Sequence, residues 1–179
     1  MVDDPAPVVG LAGRKEPHGH STDLGAGRTG ATRHDPGPLM AGYSGTPLVQ
    51  KLGITEGKTV GILNMPNYYD LDLGDLPPGV RVHRGDYPAD VFIVFAERSD
   101  EAELGFQNAV TNLPADGAIW VFWPKKSSGV ETDLSEQTLR DLFLPTGMVD
   151  NKVVAVDETW SGLRFVVRKE NRGDWPASA

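Results

Sequence analysis

Two runs of this chain, DVFIVFAE at residues 90 to 97 and AIWVFWP at residues 118 to 124, are apolar at nearly every position. A strand with one wet face alternates apolar and polar residues. A strand apolar throughout has both faces covered, which is the situation of a central strand in a parallel sheet. Between the two runs lies SDEAELGFQNAVTNL, which reads as an amphipathic helix. Ser99 is its N-cap candidate, and Asp100, Glu101 and Glu103 favour its positive end. Strand, helix, strand at this spacing is a parallel crossover, and such crossovers are right-handed.

The flanking segments extend the pattern. TPLVQKLG reads as a short helix with Pro47 at its first position behind Thr46, closed by Gly53. GKTVGILNM follows a turn and reads as a buried strand, and VRVHR, residues 80 to 84, as a short alternating one. Only five residues, 85 to 89, separate VRVHR from DVFIVFAE. A parallel crossover usually takes a dozen or more, so a reduced sheet is expected, lacking one strand and its helix. LSEQTLRDLFL reads as a helix ending near Pro145 and Gly147. KVVAVDE and LRFVVRKE close the chain as two strands joined through TWSG, a link short enough for a hairpin. The expected fold is α/β: a reduced Rossmann-like, mostly parallel sheet ending in an antiparallel hairpin. Over residues 58 to 169 the order of elements resembles that of S-adenosylmethionine-dependent methyltransferases. The likeness lies in topology, not in a motif.

Composition sets the domain limits. Residues 1–39 are rich in Gly, Pro, Ala and small polar residues and contain no Ile, Phe, Tyr or Trp. They cannot bury enough apolar area to offset an ordering entropy of about 1–2 kcal/mol per residue, and disorder is expected there. Residues 40–170 are expected to form one α/β domain and 171–179 a flexible C-terminal tail. Met40, where folded-looking sequence begins, is a candidate translation start beside Met1. Three of the four histidines, His18, His20 and His34, fall in the N-terminal extension. Two His on a floppy chain do not close a coordination shell, and no metal site is expected.

A formal charge of −8 disfavours nucleic acid as partner, because phosphate binding needs clustered Lys and Arg. The chain has no cysteine, hence no disulfide framework and no thiol nucleophile. No run approaches the roughly 18 apolar residues of a membrane span, and the N-terminus lacks the pattern of a secretory signal. Cytoplasmic residence is the default expectation.

The first strand would carry the cofactor loop of an active methyltransferase, which needs glycines for close backbone approach. Here the chain reads ILNMPNYYD: Asn64 stands where an acid would, and Met65, Pro66 and Asn67 replace the glycines. Pro66 also removes an N–H donor. S-adenosylmethionine is therefore disfavoured, and no cofactor is expected. GYSGTP precedes a helix but follows no strand and lacks a phosphate-loop Lys, so Gly42 and Gly45 read as turn residues and Thr46 as a cap.

The candidate ligand rim comes from two loops. In WPKKSSGVETDL, residues 123 to 134, Lys125 and Lys126 supply cations and Ser127 and Ser128 supply hydroxyls, at the end of a central strand and ahead of a helix N-terminus. Against an anion site stands Asp133, which with Glu136 has capping-box spacing. In DETWSG, Asp157, Glu158, Thr159, Trp160 and Ser161 should emerge at the same sheet edge. Two readings stand: the acids pair with the lysines and close the loops, or a ligand lies between them with Trp160 as a stacking wall. His83, the remaining histidine, reads as a satisfied sheet residue.

AGYSGTPLVQKLGI, WPKKSSGVETDLSE and VDETWSGLRFVVRKENR, in this order, resemble the bacterial family called domain of unknown function 3052 across residues 41 to 172. That family brings no established activity, and its members begin near the equivalent of Met40. The resulting expectation is a non-catalytic ligand-binding or regulatory interaction module on a degenerate methyltransferase-like fold, with a small anion or a protein as partner. The alternative is a divergent transferase acting on a phosphorylated or carboxylated small molecule.

Overall fold

The structure, a computed structural model, describes residues 45–176. The expectations for residues 1–39, for the Met40 start and for Gly42 lie outside the described residues.

Six strands form one sheet: β1 (Thr59–Leu63), β2 (Arg81–Arg84), β3 (Val91–Phe95), β4 (Ala118–Pro124), β5 (Met148–Ala155) and β6 (Trp160–Val167), in the order β2-β1-β3-β4-β6-β5. The first four pair in parallel; β6 lies antiparallel between β4 and β5. This is the expected fold class, a reduced Rossmann-like sheet ending in an antiparallel hairpin. β3 and β4 are buried at every position, as their two-faced apolar sequences require.

The short link into β3 has a geometric solution. β2 has four residues and spans about 13 Å, a length that six extended residues, reaching about 20 Å, can retrace without a helix. β2 is accordingly an edge strand, and no helix intervenes between β1 and β2 or between β2 and β3.

Helices α2 (Ser99–Thr111) and α3 (Glu136–Phe143) cover one face. There Phe106 stacks on Phe143 at 3.8 Å between ring centroids, and both rings meet Phe165 of β6 edge-on. The opposite face carries the short helix α1 (Leu48–Lys51) and the loop after β1, packed on Ile93, Phe95, Trp120, Phe122 and Trp160.

Helix starts differ from the sequence expectation in three places. Pro47 is itself the N-cap of α1, and no side chain caps it, so Thr46 has no capping role. The N-cap of α2 is Arg98 rather than Ser99. The N-cap of α3 is Ser135, whose hydroxyl accepts from the Thr138 N–H at 3.1 Å, rather than Asp133. Asp133 instead accepts from the Ser99 N–H and hydroxyl in the first turn of α2.

The segment from residue 171, expected as a flexible tail, is described as far as Pro176. Lys169–Asp174 form a 3-10 helix. The Trp175 indole then packs against the α2/α3-side core and donates to the Leu113 carbonyl at 3.0 Å. An aromatic ring with one N–H donor near a chain end finds both an apolar seat and an acceptor here.

Candidate functional site

All parallel strands end at one edge of the sheet. The sheet order reverses between β1 and β3, the first being followed in sequence by β2 on its other side. In open α/β sheets ligands bind outside the carboxyl ends of the strands at such a switch point. A cleft of about 370 Å³ opens there, lined by Asn64 and Pro66 after β1, Phe95, Ala96 and Glu97 at the end of β3, Glu101 and Leu104 of α2, and Trp160 of β6.

Asn64, directly after β1, takes a left-handed conformation, φ 56°, which Asn tolerates better than most residues. Gly105 lets α2 approach it: a Cβ there would lie 2.5 Å from Val94 Cγ1 and 3.0 Å from the Asn64 amide nitrogen. The wall carboxylates are tied to the chain by one oxygen each. Glu101 Oε2 accepts from the Glu97 N–H at 2.9 Å, and Glu97 Oε1 accepts from the Tyr68 hydroxyl at 3.2 Å. Tyr68 and Leu104 are exposed apolar groups, 77% and 61%.

The two loops singled out in the sequence do meet. Lys125 donates its backbone N–H to the Thr159 carbonyl at 2.7 Å, and its ammonium donates to the Asp157 carbonyl. The lysine thus reaches the backbone of DETWSG rather than its acids. The Asp157 carboxylate serves its own turn: Oδ1 accepts the N–H groups of Thr159 and Trp160, both at 2.7 Å, and Oδ2 accepts the Tyr69 hydroxyl at 2.6 Å. Burial first, and then the bond to Asp157, hold the Tyr69 hydroxyl well above its ordinary pKa. The Ser128 hydroxyl donates to the Lys125 carbonyl at 2.6 Å and accepts from Val130 N–H at 3.2 Å. Lys126, Ser127 and Glu158 are exposed, and Ser161 is half-buried within β6.

Trp160, a stacking wall in one of the two readings, lines the cleft and is largely covered by protein. It is 1% exposed, with Phe95 edge-on at 5.0 Å and Tyr69 at 5.9 Å. Its indole N–H is buried and has no acceptor. His83 is unlike its expectation, because both ring nitrogens are buried without partners while the ring meets Tyr87 at 5.7 Å.

The sequence reading missed Glu97 and Leu104 as cleft residues and took Glu101 only as a helix-dipole acid. The available signal was Glu97 itself, an acid directly ending an apolar central strand where a switch-point ligand would sit.

No family model and no curated protein sequence matches the chain. The likeness to domain of unknown function 3052 thus stays a resemblance carried by three sequence blocks. Among solved structures, TrmN from Thermus thermophilus superposes with a TM-score of 0.40 and 12% identity, covering 68% of this chain and 47% of that one. The N-methyltransferase NodS from Bradyrhizobium japonicum WM9 gives 0.41 and 10%, with 66% and 90% covered. LepI in complex with SAM gives 0.40 and 13%, with 68% and 39% covered. This chain therefore spans about half the length of TrmN or less than half that of LepI.

Proposed function

We propose that the protein is a non-catalytic ligand-binding or regulatory interaction module on a degenerate methyltransferase-like fold, a member of the family its three sequence blocks resemble. The observation that carries this reading is the cleft at the switch point. It has the position of an α/β ligand site, and its volume lies at the lower end of the roughly 300–1,000 Å³ of small-molecule pockets.

The loop after β1 supports the loss of ordinary cofactor binding. Pro66 lacks an N–H, and Asn64 carries a side chain where close backbone approach would need glycine. On this reading that loop disfavours S-adenosylmethionine. Glu97 and Glu101 each use one carboxylate oxygen in holding the cleft walls. Tyr69 donates its proton to Asp157, and its raised pKa opposes service as a base. Among the described residues no helix is long and apolar enough to cross a membrane.

The test is a thermal-shift screen with S-adenosylmethionine, its demethylated product, nucleotides and small metabolites. A ligand at one hundred times its Kd stabilises by about 2.7 kcal/mol. Stabilisation without methyl transfer supports the reading, and turnover by the purified protein overturns it in favour of the divergent transferase.

A further inference from the structure

We infer that the outer edge of β2 takes up an acidic, extended segment of a partner protein as an added strand. The inference rests on the interaction-module reading above and names its surface and partner class. No β2 residue but Arg84 lines any of the clefts at the strand ends, and none lines the switch-point cleft.

Topology leaves this edge open. A doubly wound sheet in the order 3-2-1-4-5-6 has a strand outside strand 2. Here the order begins β2-β1-β3-β4, and among the described residues no strand lies outside β2. The link from β2 to β3, which contains no helix, omits that strand. The Arg81 N–H donates to the Lys58 carbonyl at 3.0 Å and the Gly85 N–H to the Ile62 carbonyl at 3.1 Å, both toward β1. Alternate residues of a strand turn their backbone groups to opposite sides, so those of Val82 and Arg84 point away from β1. An edge of this kind is a template for a further strand.

Charge selects the partner. β2 carries Arg81 and Arg84, both exposed, and no acid. Among the described residues neither arginine is in an ion pair. Cations on a short edge bar indiscriminate pairing, whereas an acidic strand turns the same charges into attraction. A second copy does not suit the edge. Its β2 would set arginines against arginines, and its other edge strand, β5, brings Lys152 while its Asp150 is held by Arg140 at 2.9 Å.

Apolar groups flank the edge on both faces. The Val82 and His83 side chains leave opposite faces of the strand. Val82 is 40% exposed, and beside His83, edge-on at 5.7 Å, lies Tyr87, 66% exposed. Alternate side chains of an incoming strand would find one apolar contact on each face.

The experiment follows backbone amide exchange of the full chain in ¹H–¹⁵N spectra, with three end-blocked hexapeptides: TEVVET, its neutral counterpart TQVVQT and its basic counterpart TKVVKT. The acids of the first stand three residues apart, as do Arg81 and Arg84. TEVVET is expected to protect the Val82 and Arg84 amides saturably, by about tenfold or more. It should bind about threefold to tenfold tighter than TQVVQT at low salt, a gap that closes as salt is added, with TKVVKT weakest. Arg81→Gln with Arg84→Gln should remove the preference and leave both peptides able to bind. Val82→Pro, at an N–H outside the ladder, should abolish protection at Arg84. Equal binding of TEVVET and TQVVQT by the parent overturns the proposal. Protection of these two amides in the free protein also overturns it: the edge is then held by the chain's own N-terminal residues or, if protection rises with protein concentration, by a second copy. No saturable protection with any peptide overturns it as well, and the ligand-binding reading then rests on the thermal-shift screen alone.

Discussion

Asp133 takes both hydrogens that Ser99 offers, the backbone N–H at 2.9 Å and the hydroxyl at 2.8 Å. The acid thereby fixes the start of α2 from 34 residues away, and the neighbouring Thr132 hydroxyl donates to the Glu97 carbonyl at 2.6 Å. The segment between β4 and α3 is thus sewn to the end of β3, beside the cleft. The Ser99 hydroxyl first, then its N–H and the charge of Arg98, hold the Asp133 carboxyl below its ordinary range. A depressed folded-state pKa stabilises above the unfolded value and loses that contribution as pH falls through the folded one. Asp133→Asn should therefore lower the urea midpoint by a constant amount above about pH 5, with the difference from the parent shrinking below about pH 4. A difference independent of pH down to the acid transition would refute the charge-assisted cap.

Gly105 inverts a common expectation. Within an exposed helix, Gly to Ala gains about 0.5–1 kcal/mol. Here the added methyl would lie 2.5 Å from Val94 Cγ1, closer than real Cβ contacts come, and tightly against the Asn64 side-chain amide at 3.0 Å. Gly105→Ala should lower stability by about 1–3 kcal/mol through overpacking. Urea unfolding measures it, and a stabilised variant would show that α2 does not lie this close to β3.

The lysine pair should separate cleanly. Lys126 is exposed, and Lys125 bridges the end of β4 to the β5–β6 turn. Lys126→Ala and Ser127→Ala should change stability by no more than about 0.5 kcal/mol, the usual range of surface substitutions. Lys125→Met removes a charged donor from the Asp157 carbonyl and should lose about 1–3 kcal/mol. Chemical denaturation of the three variants decides, and equal effects would contradict the bridging geometry.

Strand identity was legible because it depends on local pattern. VFIVF and AIWVFWP announce two covered faces, and five residues before Asp90 announce a trimmed crossover. What could not be read was partnership across distance. Asp133 has the spacing of a cap for the next helix, yet its hydrogen-bond partner belongs to the previous one. Trp160 offers an aromatic that could face solvent or core, and only the packing of Tyr69 and Phe95 around it decides. The loops after β4 and β5 meet through Lys125, Asp157 and Thr159, because both strands end at the same edge. The acidic cleft beside them was not legible, since it exists only where the loop after β1 and Trp160 of β6 come up against the β3–α2 junction that carries Glu97 and Glu101.

Tyr69 gives the alkaline counterpart to Asp133. Its hydroxyl joins the loop after β1 to the β5–β6 turn through Asp157, while its ring packs on Phe95 and Trp160. Tyr69→Phe keeps the ring and removes the bond, so the fold should lose about 1 kcal/mol at neutral pH. Burial and the Asp157 carboxylate raise the pKa of this hydroxyl in the folded state. Its stabilising contribution is whole below the unfolded value of about 10 and drains away as pH rises toward the folded one, because the unfolded chain ionises first. The gap between parent and Tyr69→Phe should hence narrow above about pH 10, while the other tyrosines contribute equally to both proteins. Urea midpoints compared at neutral and alkaline pH test this. A gap that stays constant into strong alkali would mean that Tyr69 does not hand its proton to Asp157.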